Sequence, residues 1–231
     1  MTPGSGPLLV IDTATKHARI ALGAADGTLR VERSWVAGYR HGEELLVRLE
    51  TLLADELVEL DTVAGIVVGT GPGAFTGLRV GLATAKALAY ARTIPIVGVS
   101  TGEALLAAAG GGALVLLQPA GASDRVLTRA GEPPRILPGG DEPELAFGES
   151  VIAVDLDGRA PDEAVAAGAA AMEGLAAALL RAGAARLAAG DADDLATLVP
   201  EYVTLPRGVR VAATDAGVAI ERARGTAGAP R

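Results

Sequence analysis

The sequence predicts an α/β protein, organised around one strand–loop–helix unit in the first half of its 231 residues. The unit begins with a short apolar run at 66–68 between two glycines, which is typical of a buried strand. A loop rich in glycine and proline follows at 70–76, and Thr76 is a candidate N-cap for a helix over 77–91. Short apolar runs and stretches of helical periodicity alternate on both sides of this unit, and that alternation indicates the α/β class.

Three strands and a helix precede the unit. Apolar runs at 8–11, 18–22 and 29–36 predict strands joined by short turns, which favours an antiparallel meander. Leucines recur at helical spacing over 45–53 and predict a helix that starts near His41, with glutamates in its first turn.

A strand at 96–99 and a short helix at 103–109 follow the unit. The order β-β-β-α-β-α-β is the one expected for the first lobe of the actin, hexokinase and Hsp70-like ATPase fold, which has two ribonuclease H-like lobes. The second half carries weaker strand signals and a long alanine-rich helix that starts after Pro161 and ends near Gly183. The sequence therefore predicts this ATPase fold with a reduced second lobe.

We accordingly expect four segments along the chain. They are a flexible N-terminal tail at 1–7, a first ATPase-fold lobe at 8–101, a smaller second lobe at 102–206, and a partly disordered tail rich in Arg, Gly and Ala at 207–231.

The composition excludes several classes of function. A net charge of −8 offers no basic footprint for binding nucleic acid directly. The absence of cysteine excludes disulfides and thiolate metal sites. The two histidines, His17 and His41, form no zinc motif, so no metal ligand is predicted. The start of the sequence lacks the basic residues of a secretory signal and no apolar stretch reads as a membrane span, so we expect a cytoplasmic protein.

Small residues recur every four positions along the helix of the central unit and its approach. Such a ridge lets another backbone come close. A glycine inside a helix costs about 1 kcal/mol relative to alanine, so Gly81 needs a packing reason. Two interpretations remain open: close packing on the chain's own sheet, or a docking face for a second protein. The candidate interface residues are Gly73, Gly77, Gly81, Ala85 and Ala89.

Nucleotide binding is predicted only in a degenerate form. The loop at 70–76 lacks the lysine of a Walker A motif. The turn after the first strand takes the place of the phosphate turn of the ATPase fold, which makes Asp12, Thr13 and Thr15 candidate cofactor-binding residues. Ala14 stands where that fold usually has glycine, and its methyl group would crowd a phosphate. No nucleophile–base pair is recognisable, so no catalytic residue is predicted.

Several motifs together resemble the TsaB (YeaZ) family of bacterial tRNA threonylcarbamoyladenosine biosynthesis proteins. The resemblance covers 8 to about 101, and Pro200-Glu201-Tyr202-Val203 is similar to a family segment near the end. Over 102–199 it is loose: the family's Asp-Ala-Arg-Arg segment is replaced by 119–123, and Thr204 stands where arginine is common. The motifs are LLVIDTATKHARIAL, HGEELL, GIVVGTGPGAFTGLRVGLATAKALA and PIVGVST.

The resemblance implies a noncatalytic scaffold or activator subunit that dimerises with a TsaD-type catalytic subunit, which transfers threonylcarbamoyl to N6 of adenosine 37 in tRNA. It implies a TsaE-type ATPase as a further partner and a donor made by TsaC. It also implies no intrinsic cofactor, ATP or ADP only at the partner interface, tRNA contact only through the complex, and a homodimer when the chain is alone. The competing hypotheses are an independent small ATPase or kinase, and a metallopeptidase of the same fold.

Overall fold

The computed structural model describes residues 6–37, 41–203, 209–214 and 217–222. A five-stranded mixed sheet, in the order β3-β2-β1-β4-β5, forms the first lobe. The first three strands are antiparallel, and the last two add to β1 in parallel. These strands confirm the predicted order and are β1 (Leu8–Asp12), β2 (His17–Gly23), β3 (Leu29–Val36), β4 (Gly65–Gly69) and β5 (Ile96–Val99).

Two helices cover one face of this sheet and two cover the other. Alternate residues of β1 face opposite ways: Leu9 packs with α1 and α2, whereas Val10 packs with α3 and α4. This coverage on both sides explains why β1 and β4 are buried along their whole length. The helices are α1 (His41–Asp55), α2 (Phe75–Arg92), α3 (Thr101–Ala108) and α4 (Asp162–Ala188).

The predicted N-cap of α2 is wrong. The cap position is Ala74, which makes no side-chain capping bond, and Thr76 already lies inside the helix. Ala74 N instead donates to the carbonyl oxygen of Ala14 at 2.7 Å. A tertiary contact with the turn after β1 thus sets where the helix starts.

A four-stranded sheet forms the second lobe, in the order β8-β7-β6-β9. Its first three strands are antiparallel and β9 is parallel to β6, so the sheet repeats the β3-β2-β1-β4 arrangement of the first lobe without a fifth strand. This repetition is the reduced second lobe that the sequence predicts. The strands are β6 (Leu114–Ala120), β7 (Asp124–Arg129), β8 (Arg135–Leu137) and β9 (Ser150–Ala153).

Helix α4 is long and apolar enough, by length and composition, to cross a membrane. In the fold its buried residues pack between the two sheets, against residues such as Val67 and Leu116. The predicted end at Gly183 is wrong, because the helix continues to Ala188. A Cβ atom at Gly183 would lie 2.3 Å from Val67 Cγ2, so this glycine serves close packing of helix on sheet.

Part of the predicted tail at 207–231 is a two-stranded antiparallel hairpin, formed by β10 (Val209–Thr214) and β11 (Gly217–Arg222). The sequence did not predict these strands, because small residues and arginines interrupt their apolar pattern. The rest of that tail, most of the predicted N-terminal tail, and Thr204 lie outside the described residues.

Candidate functional site

The candidate phosphate turn begins with Asp12, at the end of β1, whose side chain is fully buried. Its carboxylate accepts hydrogen bonds from Thr101 Oγ1 at 2.6 Å and from Ala14 N at 3.2 Å. Burial raises the pKa of Asp12, and these two hydrogen bonds oppose the rise. Burial therefore makes the charged carboxylate less favourable here than it is in water.

The chain encloses this carboxylate on the side of β4 as well. A Cβ atom at Gly69 would lie 1.8 Å from Asp12 Oδ2, so only glycine fits at the end of that strand. Thr101, which begins α3, also accepts a hydrogen bond from Gly71 N at 3.2 Å. The carboxylate is thus fixed between two strand ends and a helix start.

The other two candidate residues also bond within the chain. Thr13 Oγ1 donates to the carbonyl oxygen of Gly77 at 2.7 Å, and Thr15 Oγ1 donates to that of His17 at 3.0 Å. Both threonines are buried. Nucleotide binding by Asp12, Thr13 and Thr15 stays a prediction, and it would require this packing to open.

The small-residue ridge of α2 faces this turn. Gly77, Gly81, Ala85 and Ala89 are buried, and Gly73 is half-buried. A Cβ atom at Gly81 would lie 2.1 Å from Thr13 Oγ1, and one at Gly73 would lie 2.1 Å from the Ala14 carbonyl oxygen. Close packing within the chain therefore accounts for the glycines at these two positions. The turn after β1 thus lies against Gly73 and Gly81, and the partner interface at the five residues stays a prediction.

The outward sides of α1 and α2 are open. On α1, Leu46 and Val47 are 54% and 62% exposed. On α2, Tyr90 is 78% exposed, and Ala83 and Ala87 are exposed alanines one turn apart. The two helices pack together, and we call these five exposed residues the α1–α2 outer face.

The segment after α4 returns across the first lobe. Asp193 N donates to the Ile96 carbonyl oxygen and Glu201 N to that of Thr70, each at 2.8 Å. The first bond lies at the free edge of β5, and the second joins the segment to the residue that follows β4. Burial raises the pKa of Glu201, which accepts a hydrogen bond from Ser100 Oγ at 3.0 Å.

An arginine fastens the same segment to the start of α2. Arg79 Nε donates to Tyr202 Oη at 3.0 Å, and its guanidinium lies 3.8 Å from the centroid of the Phe75 ring. Sequence reasoning missed both Arg79 and Thr101, because the contacts that reveal them join residues far apart in the chain.

A cavity of about 360 Å³ lies between the lobes, beside β2 and β3. Arg19 projects from β2 toward it and is 4% exposed. Its Nη1 donates to Glu32 Oε1 at 3.0 Å, and its Nε is buried without a hydrogen-bond partner. His17 lies at the exposed margin of the same cavity. Within the described ranges, no three His, Asp or Glu side chains come together as a metal site.

Comparison with known proteins places these features in a family. Residues 35–213 match the family model described as TsaD: tRNA N6-adenosine threonylcarbamoyltransferase. The tRNA threonylcarbamoyladenosine biosynthesis protein TsaB of Escherichia coli is 34% identical over 94 residues, which cover 41% of this chain and 40% of that protein. The protein of the same name in Haemophilus influenzae is 32% identical over 105 residues, which cover 44% and 42%.

A Mycobacterium leprae protein described as uncharacterized is 42% identical over 102 residues, which cover 42% of this chain and 28% of that protein. The chain thus spans less than half the length of each of these relatives. The solved structure of YeaZ from Pseudomonas aeruginosa aligns with a TM-score of 0.66 at 23% identity, covering 85% of this chain and 99% of that one. The resemblance to TsaB and YeaZ is confirmed, and so is the predicted actin/hexokinase-like ATPase fold.

Proposed function

This chain belongs to the tRNA N6-adenosine threonylcarbamoyltransferase family, and we propose that it is a noncatalytic scaffold and activator subunit in the synthesis of N6-threonylcarbamoyladenosine at position 37 of tRNA. Two of its relatives are named tRNA threonylcarbamoyladenosine biosynthesis protein TsaB. The observation that carries the noncatalytic role is the closed turn after β1, which the chain fills with its own atoms.

A phosphate at this turn would meet three obstacles. The Mg²⁺ ion that accompanies a phosphate would have to displace the Thr101 hydroxyl from Asp12. The raised pKa of the Asp12 carboxyl group also weakens this residue as a ligand for Mg²⁺. The phosphate would have to separate the Ala14 carbonyl from the start of α2. It would also have to pass the Ala14 methyl group. These obstacles support a chain that has the fold of a nucleotide-cleaving enzyme but does not turn over a nucleotide itself.

We propose that the partner is a TsaD-type catalytic subunit and that it docks on the α1–α2 outer face. Exposed leucine, valine and tyrosine supply the apolar area of an interface core. Ala83 and Ala87 let a partner helix approach closely. A partner of the same fold would present an equivalent helix pair, so the two pairs can pack together with approximate two-fold symmetry. The same face would pair two copies of this chain when the partner is absent.

We propose the remaining components on the resemblance to the TsaB family. A TsaE-type ATPase completes the complex, and ATP or ADP binds at the partner interface. Because this chain has a net charge of −8, tRNA reaches it only through the complex. The site of action is the cytoplasm.

The test is co-purification of this chain with the TsaD-type subunit of its own organism. Ala87→Arg places a charged side chain on the outer face and should abolish co-purification, because an unpaired charge in an interface is costly to desolvate. Ala170→Arg is the matched control, since Ala170 is an exposed alanine on α4. Both variants should keep the circular dichroism spectrum and Tm of the parent. Undiminished co-purification of Ala87→Arg would contradict the proposed docking surface.

Activity assays on the isolated chain distinguish the competing functions. An independent ATPase or kinase would release ADP without a partner, and a metallopeptidase would cleave peptides. We expect neither activity, and either one in a purified sample would contradict the noncatalytic role.

A further inference from the structure

The cavity between the lobes takes no part in the proposed function. We propose that it binds a small zwitterion of the amino-acid class, with the ligand's carboxylate on Arg19 and its ammonium group facing the carboxylates of Asp155 and Glu173.

The first observation is the guanidinium of Arg19. A guanidinium has five N–H donors, and within the described residues Arg19 makes one hydrogen bond, to Glu32. Its side chain is 5% exposed, and Nε is buried without a partner. Buried donors without acceptors are costly and uncommon in folded proteins. Arg19 lines the cavity, and a ligand carboxylate there would supply acceptors to the guanidinium donors that the cavity reaches.

The second observation is the charge of the cavity's other walls. The carboxylates of Asp155, Asp157 and Glu173 line it. Lys16 engages two of them: its backbone N donates to Asp155 Oδ2 at 2.7 Å, and its Nζ lies 3.4 Å from Asp157 Oδ2. The other carboxylate oxygen of Asp155, Oδ1, is left to contact a ligand, and the side chain of Glu173 is exposed.

These charges select among ligand classes. A simple anion would pair with Arg19 but would be repelled by the surrounding carboxylates. A simple cation would suit those carboxylates and leave the guanidinium donors unmet. A molecule with both groups a short distance apart satisfies the two sides together, which is the electrostatic complementarity that specific sites show.

The size and the apolar part of the cavity fit such a ligand. A volume of about 360 Å³ is at the lower end of the range for small-molecule sites. Val154, Val165 and Met172 contribute an apolar wall, against which the side chain of an amino acid can pack. The cavity therefore favours a free amino acid over a larger polar ligand.

This site is separate from the proposed docking surface. Ala18 and Ile20, which flank Arg19 in β2, pack in the cluster that contains α1 and α2. Because successive residues of a strand point to opposite faces, Arg19 lies on the other side of the sheet. Loss of ligand binding and loss of partner binding are therefore distinguishable in the same protein.

The test is calorimetric titration of the full chain with free L-amino acids, first as an equimolar mixture of the twenty and then singly. The best binder is compared with its N-acetyl derivative, which has no ammonium group, and with its amide, which has no carboxylate. We expect each derivative to bind at least tenfold more weakly. Equal binding of either derivative, or no binding of any amino acid up to about 10 mM, would overturn the proposal.

Variants locate the site. Arg19→Met removes the guanidinium, and Ala169→Trp fills the cavity from an exposed position of α4; each should weaken binding at least tenfold. Arg30→Met is the matched control, because Arg30 is an exposed arginine of β3 outside the cavity. The affinity of this variant for the amino acid should equal that of the parent. Co-purification with the TsaD-type subunit should persist in all three. If Arg19→Met does not fold, Ala169→Trp decides, and unchanged affinity in that variant would overturn the proposal.

Discussion

Replacing Gly81 by alanine tests the central packing contact of the first lobe. On helix propensity alone, Gly81→Ala should stabilise α2 by about 1 kcal/mol. The new Cβ atom would lie 2.1 Å from Thr13 Oγ1, well inside contact distance. The Thr13 side chain cannot move away freely, because its hydroxyl donates to the Gly77 carbonyl oxygen at 2.7 Å. Packing and propensity thus predict opposite signs for one substitution.

The magnitudes favour packing. Forcing one extra methyl group into a filled core costs about 1–3 kcal/mol. Breaking the buried hydrogen bond of Thr13 adds about 1–3 kcal/mol, because its partner stays buried. After the propensity gain of about 1 kcal/mol is subtracted, Gly81→Ala should lower the free energy of unfolding by about 1–5 kcal/mol. For a chain of this size, each 1 kcal/mol corresponds to a fall in Tm of about 2–4 °C.

Denaturant titration of four proteins makes the assay specific: the parent, Gly81→Ala, Thr13→Ala and the double variant. Thr13→Ala removes the Oγ1 atom, so Gly81→Ala should cost at least about 1 kcal/mol less in that background. Gly42→Ala is the matched control, because a Cβ atom at this helical glycine meets nothing within 4 Å; it should be neutral or stabilising. A stabilised Gly81→Ala variant, or additive effects in the cycle, would refute the packing argument.

Three further predictions concern other contacts. Thr101→Val removes the hydroxyl that donates to Asp12 and should lower the free energy of unfolding by about 1–3 kcal/mol, measured by urea titration; an unchanged value would contradict it. Arg79→Ala should release the segment around Tyr202 from α2, seen as faster amide hydrogen exchange there, and unchanged protection would argue against this fastening. Hydrogen bonds from an arginine lower the pKa of Glu149 to about 2, so its stabilising effect is complete above its ordinary pKa near 4.5 and is lost as pH falls toward 2. The stability gap between the parent and Glu149→Gln should narrow over that pH interval, and a constant gap would contradict the assignment.

Much of the first lobe could be predicted from sequence, because the information is local. The apolar runs that became β1, β2 and β4 are short, continuous and bounded by turn residues, and the leucine spacing of α1 has a helical period. The loop before α2 was also identifiable as irregular from its glycines and proline. Local pattern and final fold agree in these elements.

The sequence could not show which distant residues pack against a given helix or strand face. Four-residue spacing shows that Gly81 and Ala85 share a helix face. It does not reveal that Thr13, which is distant in the chain, lies against Gly81. The position of Arg19 was hidden for a similar reason: strand alternation places it on one face of β2, and residues of the second lobe make that face a cavity wall. The end of α4 was misplaced because Gly183 resembles a helix terminator, whereas its small size serves contact with Val67.

Reconstitution of tRNA modification tests the noncatalytic role most directly. The TsaD-type, TsaE-type and TsaC-type proteins of the same organism would be combined with unmodified tRNA, threonine, bicarbonate and ATP. N6-threonylcarbamoyladenosine would then be quantified by mass spectrometry of the digested tRNA. We predict that the full set forms the modified nucleoside, that omission of this chain abolishes it, and that this chain alone forms none. Modification by this chain alone, or undiminished modification without it, would contradict the account.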